Sequence, residues 1–258
     1  MIVKRNFTYT LNGKNRPLHI YLPDNYEKSE DKYPVMYFFD GHNLFFNEDA
    51  TYGKSWGMKE FLDTWGKDMI MVGIECGHDG EERLSEYMPY PAKRGYFSKF
   101  DVLGDQTMDW IINELKPVID KEYRTYPFRE CTAIGGSSMG GLMAVYAAVH
   151  YNQWFSKAAC VSSSIGFCME PLMKDMKVQE MSADTRLYLS WGTREAHNIK
   201  DKGKMDTNSD TYHWNKQVAE QAESCGATVL MDCQVGGGHC EADWEKLVPT
   251  FMNFLWTE

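Results

Sequence analysis

At 258 residues, 43% of them hydrophobic, the chain is long enough to bury a full core, and one α/β domain accounts for that length. Its 27 Lys plus Arg stand against 37 Asp plus Glu, a formal net charge of −10, which sets the surface against nucleic acid and anionic membranes as partners. No apolar run reaches the roughly 20 residues that span a bilayer, and Met1 to Tyr9 lacks the apolar stretch of a secretory signal, so a soluble, cytoplasmic protein is expected.

The chain opens with two alternating runs, Phe7 to Leu11 and Pro17 to Leu22, around the turn signal Asn12-Gly13-Lys14-Asn15, which predicts an antiparallel hairpin. Short continuous apolar runs follow at Val35 to Phe39, Met69 to Ile74, Thr132 to Ile134, Ala158 to Val161, Leu187 to Leu189 and Thr228 to Met231, the pattern of strands covered on both faces. Helical patterns fall between them, at Gly104 to Tyr123, Met139 to Tyr151, Tyr212 to Ser224 and Glu241 to Leu255. This alternation predicts a single α/β domain over 1–258, with a mostly parallel central sheet and helices on both faces. Pro117 inside the first helical pattern predicts a kink or a joint. Residues 75–99 show no clear periodicity and are expected to form a long loop at a binding mouth or on a plain surface. The seven cysteines are odd in number and show no C-x-x-C or zinc spacing, so they are expected to be free thiols, with no metal site.

The strongest local signal is Ala133-Ile134-Gly135-Gly136-Ser137-Ser138-Met139-Gly140-Gly141, which sets Ser138 in G-x-S-x-G between a strand-like run and a helical pattern. This is the context of a nucleophile elbow, where a sharp strand-to-helix turn exposes the serine hydroxyl. A serine needs a base to take its proton and, usually, an acid to orient that base. In this fold class the chain order is serine, acid, histidine. That order leaves His197, His213 and His239, and His239 follows the last strand-like run through a glycine loop and precedes the final helix, so it is the expected base. The acid is expected after the strand Arg186 to Ser190. Glu195 is the nearest carboxylate, Asp201, Asp206 and Asp210 lie further along the same loop, and a dyad without an acid is the third possibility. The oxyanion of a tetrahedral intermediate needs two amide donors. Met139, after the nucleophile, is one; the loop after the Val35 to Phe39 strand supplies the other, with His42 chosen over its neighbours Gly41 and Asn43.

With these residues placed, the chain resembles the esterase family of α/β-hydrolases that includes esterase D, feruloyl and acetylxylan esterases, catecholate-siderophore esterases and the mycolyltransferases. The resemblance is carried by Tyr37 to Phe45, Ser55-Trp56-Gly57, Arg83 to Pro89, Glu114 to Asp120, the elbow Ile134 to Leu142, the run Leu187 to Glu195, and Gly236-Gly237-Gly238-His239 with Trp244 behind it. It implies an α/β-hydrolase fold with Ser138 as nucleophile, His239 as base, Glu195 as acid, and His42 and Met139 as oxyanion donors. It also implies that Trp56, Arg83 and Tyr87 lie near the mouth.

The reading that follows is a serine carboxylesterase working through an acyl-enzyme, with no cofactor, on a small-molecule or oligosaccharide ester. An acetyl or hydroxycinnamoyl ester of a carbohydrate is the first expectation. Its rival is a catecholate siderophore, an anionic chelate for which Arg83, Lys93, Arg94 and Lys99 would supply positive charge. An inactive hydrolase-like binding protein is the alternative from another class.

Overall fold

The computed structural model describes residues 1–257. Eight strands form one sheet in the order β1-β2-β4-β3-β5-β6-β7-β8. The hairpin β1 (Ile2–Tyr9) and β2 (Lys14–Tyr21) is antiparallel and pairs through β2 with β4 (Ile70–Ile74), also antiparallel. From β4 onward, β3 (Val35–Phe39), β5 (Thr132–Ser137), β6 (Lys157–Val161), β7 (Arg186–Gly192) and β8 (Thr228–Gln234) are all parallel. The expected hairpin and parallel sheet are present. Lys14 and Asn15, read as turn, belong to β2, and the hairpin closes instead around Thr10 to Gly13.

The central strands β3, β4 and β5 are buried along their whole length, as continuous apolar runs require when helices cover both faces. The helices are α1 (Met58–Thr64), α2 (Glu82–Glu86), α3 (Gly104–Trp110), α4 (Lys116–Glu122), α5 (Met139–His150), α6 (Met169–Met176), α7 (Asp210–Ser224), α8 (Glu241–Trp244) and α9 (Val248–Leu255). Two apolar cores result, one on each face of the sheet. One gathers Ile134, Leu142, Val145, Leu187 and Val218. The other gathers Phe38, Trp56, Tyr188, Phe251 and Leu255.

The joint expected at Pro117 is a π-helical turn, Ile111–Leu115, between α3 and α4. Proline has no N–H to give to the carbonyl four residues back, and the wider turn accommodates that loss. The unpatterned stretch 75–99 contains α2 and is tied to the sheet by a buried ion pair: Arg16 donates to both carboxylate oxygens of Glu86, at 2.8 and 2.6 Å. Among the described residues no helix is long and apolar enough to cross a membrane, and all seven cysteines are free thiols.

Candidate active site

The parallel strands β3, β5, β6, β7 and β8 end on the same edge of the sheet, and the loops leaving them carry the candidate residues. At the end of β5 the backbone of Ser138 takes φ 58°, ψ −119°, a conformation strained for any side-chain-bearing residue. Helix α5 starts at the next residue. The close crossing depends on missing side chains: a Cβ on Gly136 would lie 2.6 Å from the Gly140 carbonyl carbon. Ser138 is held by its amide donating to the Val161 carbonyl at 3.0 Å and its own carbonyl accepting from Ser164 N at 3.0 Å.

His239 follows the glycine loop after β8. That loop is pinned to the end of β7: Arg194 N donates to the Gly237 carbonyl at 2.9 Å and Gly236 N to Thr193 Oγ1 at 2.9 Å. Contact there is tight enough that a Cβ on Gly192 would stand 2.2 Å from the Gly237 oxygen. The pinning brings His239 Nδ1 to donate to Glu195 Oε2. The other oxygen, Oε1, accepts from Ser162 Oγ at 2.6 Å and from the Gly192 amide at 2.6 Å. Burial pushes the Glu195 carboxyl up, but His239, the Ser162 hydroxyl and the Gly192 amide outweigh it and hold its pKa below the ordinary 4.5. Ser162, itself at φ 46°, accepts from Trp244 Nε1 at 2.9 Å, and the Trp244 ring meets His239 edge-on with centroids 5.0 Å apart. Glu195, Ser162, Trp244 and His239 thus form a closed ring of contacts.

The aspartates further along the loop are engaged elsewhere. Asp206 accepts from the Asn208 and Lys200 amides, Asp210 from Asn198, and Asp201 from the Gly203 amide. Ser138 Oγ rests 3.4 Å from Ser164 Oγ and makes no hydrogen bond to His239 in this conformation, although the two residues line one cavity of about 420 Å³. Among the described residues, the His42 and Met139 amides are spent on no other hydrogen bond.

The three residues expected near the mouth part company. Arg83 lines the cavity, but its guanidinium is committed to Asp40, with Nε and Nη2 each 2.7 Å from a carboxylate oxygen. Trp56 and Tyr87 are only 2% exposed and pack in the interior, a correction to their expected place. Trp56 stacks on Trp244 with centroids 5.5 Å apart, and Tyr87 Oη accepts from the Asp40 amide at 3.3 Å. Both support site residues from behind. Sequence reading missed Ser162 and Glu241. Glu241 is buried on the cavity wall, and burial raises its carboxyl pKa. Neither lies in a motif, so no local signal marks them.

A second cavity, about 470 Å³, opens on the other side of His239 and Glu195. Its walls carry Phe97, Phe167, Trp191 and Trp214 together with Ser163, Ser190 and Asn215. The Phe97 and Phe167 rings are stacked at 4.5 Å. Ser163 Oγ, Ser190 Oγ and Asn215 Oδ1 are buried there without a hydrogen-bond partner.

A serine on a strand-to-helix elbow at the carboxyl edge of a mostly parallel sheet, with a histidine and carboxylate on the loops that follow, defines an α/β-hydrolase. The family model described as "Putative esterase" matches residues 10–253, and the chain belongs to that family of esterases. Uncharacterized protein YbbA of Bacillus subtilis is 26% identical over 217 residues, covering 83% of this chain and 80% of that protein. Esterase Rv1288 of Mycobacterium tuberculosis is 31% identical over 149 residues, 57% of this chain, and this chain spans only 29% of its length. Among solved structures, a ferulic acid esterase aligns with TM-score 0.66 at 15% identity, over 99% of this chain and 97% of its own. The enterobactin esterase FES of Shigella flexneri aligns with TM-score 0.70 at 19% identity, over 99% of this chain and 58% of its own. At these identities the structural likeness concerns the fold.

Proposed function

We propose that the protein hydrolyses carboxylic esters through an acyl-serine, with an aromatic, uncharged acyl group such as a hydroxycinnamoyl as the preferred substrate, esterified to a carbohydrate. Ser138 Oγ turns from Ser164 toward His239, gives up its proton to Nε2 and attacks the ester carbonyl. Glu195, kept ionised by its three donors, fixes the imidazole tautomer and offsets the charge that forms on it. The His42 and Met139 amides receive the oxyanion, His239 returns the proton to the leaving alcohol, and water repeats the sequence to release the acid.

The observation that carries the substrate reading is the 470 Å³ cavity beside His239. Its rings offer flat apolar faces, two of them already stacked at 4.5 Å, of the kind that hold a substituted aromatic acyl group. A ferric catecholate chelate is a poorer fit, because neither cavity is lined by a free cation. Arg83 is paired with Asp40, Lys93 pairs with Glu170 at 2.5 Å, and Lys99 lies over the Tyr96 ring.

The test is hydrolysis of p-nitrophenyl acetate, methyl ferulate, acetylated xylo-oligosaccharide and ferric enterobactin by the wild type and Ser138→Ala, with fluorophosphonate labelling of both. The expected result is preference for the ferulate ester, loss of that activity in the variant, and labelling of the wild type alone. A folded wild type that neither labels nor cleaves any ester would make this a hydrolase-like binding protein.

A further inference from the structure

The wall of the Ser138 cavity carries three side chains that ester cleavage does not use. His42, from the loop after β3, meets Cys76 and His78, from the loop after β4, so that one possible ligand atom of each lies within 4.8 Å of the others. His42 and Cys76 are 7% and 4% exposed. The two imidazoles stand edge to face, with centroids 4.9 Å apart. His42 Nε2 is bonded to Thr51 Oγ1 at 2.9 Å, while its Nδ1 is buried with no partner at all. A buried ring nitrogen left so is unfavourable, and a ligand on it would relieve that cost. His78 Nε2 is bonded to Glu75 Oε2 at 2.7 Å, and Glu75 Oε1 is bonded to His19 at 2.6 Å. Each of the two rings therefore has one nitrogen fixed by an oxygen and the other available, the outer support that metal-binding histidines characteristically have.

We propose that His42, Cys76 and His78 bind a thiophilic divalent cation of the zinc class, in the wall of the cavity that also holds Ser138. Two nitrogens and a sulfur suit such a cation, and a tetrahedral site keeps its fourth position for water. Ligand atoms about 2.0–2.3 Å from a tetrahedral centre lie roughly 3.4–3.7 Å apart. The site therefore closes by about 1 Å, within reach of the His78 side chain, which is 55% exposed. Binding forms the Cys76 thiolate, and its proton leaves to solvent. Burial and the charge of Asp40 favour the protonated thiol when no cation is present. Because the site faces the Ser138 cavity, an occupied site narrows the approach to the serine and slows ester hydrolysis.

The experiment adds Co²⁺, then Zn²⁺, to the chelator-treated whole protein and follows near-ultraviolet absorption and binding heat in the wild type, Cys76→Ser and His78→Ala. Expected is a thiolate-to-cobalt charge-transfer band at one cation per chain that zinc abolishes, absent in Cys76→Ser, with zinc affinity weakened in both variants, each of which has lost a ligand atom. A folded wild type with no band, or equal zinc affinity in all three proteins, overturns the site. Each protein is also assayed with and without one equivalent of zinc. Inhibition confined to the wild type supports occlusion of the cavity, whereas a cobalt band with an unchanged rate keeps the site and overturns the occlusion.

Discussion

Ser162 Oγ donates to Glu195 Oε1 at 2.6 Å while accepting from the Trp244 indole at 2.9 Å, so one hydroxyl both positions the carboxylate beneath His239 and satisfies a buried N–H. Ser162→Ala breaks both bonds at once. The expected cost is about 1–3 kcal/mol of stability, from the indole N–H left unpaired, with a fall in kcat for ester hydrolysis and little change in KM. Thermal unfolding and steady-state kinetics check this, and an unchanged kcat would show that Glu195 is positioned without Ser162.

Glu195 also makes the fold sensitive to acid. Its pKa is held below 4.5 by His239, Ser162 and Gly192 against the opposing push of burial. A carboxyl whose folded pKa is depressed contributes stability above its unfolded pKa and loses it as pH falls through the folded value. Urea unfolding of the wild type and Glu195→Gln should thus show a stability gap that is constant above about pH 5 and narrows as the pH falls below about 4. A gap that widened toward low pH would contradict the assignment of these contacts.

Arg83 and Asp40 pose a different problem, because Asp40 is buried at φ 58°, and burial pushes its carboxyl pKa up while Arg83 outweighs that push. Arg83→Met leaves that carboxylate inside without its partner. The expected loss is about 3 kcal/mol, the low end for a broken buried pair, since Arg83 keeps some contact with water. A double variant with Asp40→Asn should recover part of it, as measured by urea unfolding of the two proteins.

Gly136→Ala tests the elbow. The added methyl meets backbone of Gly140 at 2.6 Å, where no flexible side chain can give way. Overpacking of this kind costs about 1–3 kcal/mol. It also shifts Ser138, so activity should fall more steeply than the melting temperature alone explains.

Trp214→Ala separates the two halves of the substrate reading. The ring lines the aromatic cavity and does not line the Ser138 cavity. If the acyl ring lies there, kcat/KM for methyl ferulate should fall about tenfold, the lower part of the range for lost apolar contact in a pocket. The rate for p-nitrophenyl acetate should change less than about twofold. Equal losses on both esters would remove the aromatic cavity from the acyl site.

The elements legible in the sequence are those whose cause is local. The apolar runs of β3, β4 and β6 declare strands covered on both faces, and G-x-S-x-G declares the turn at Ser138, because backbone strain and glycine crowding act over five residues. Tertiary structure decided which loop carboxylate meets His239: Glu195 turns inward because the Gly192 amide and Ser162 satisfy its second oxygen, while Asp201, Asp206 and Asp210 close their own turns. It likewise placed Trp56 and Tyr87 in the interior, and it brought His42 to Cys76 and His78. Those contacts depend on the pairing of β3 with β4 and of β7 with β8. The pairing of distant strands leaves no periodicity or motif in any one segment of the chain.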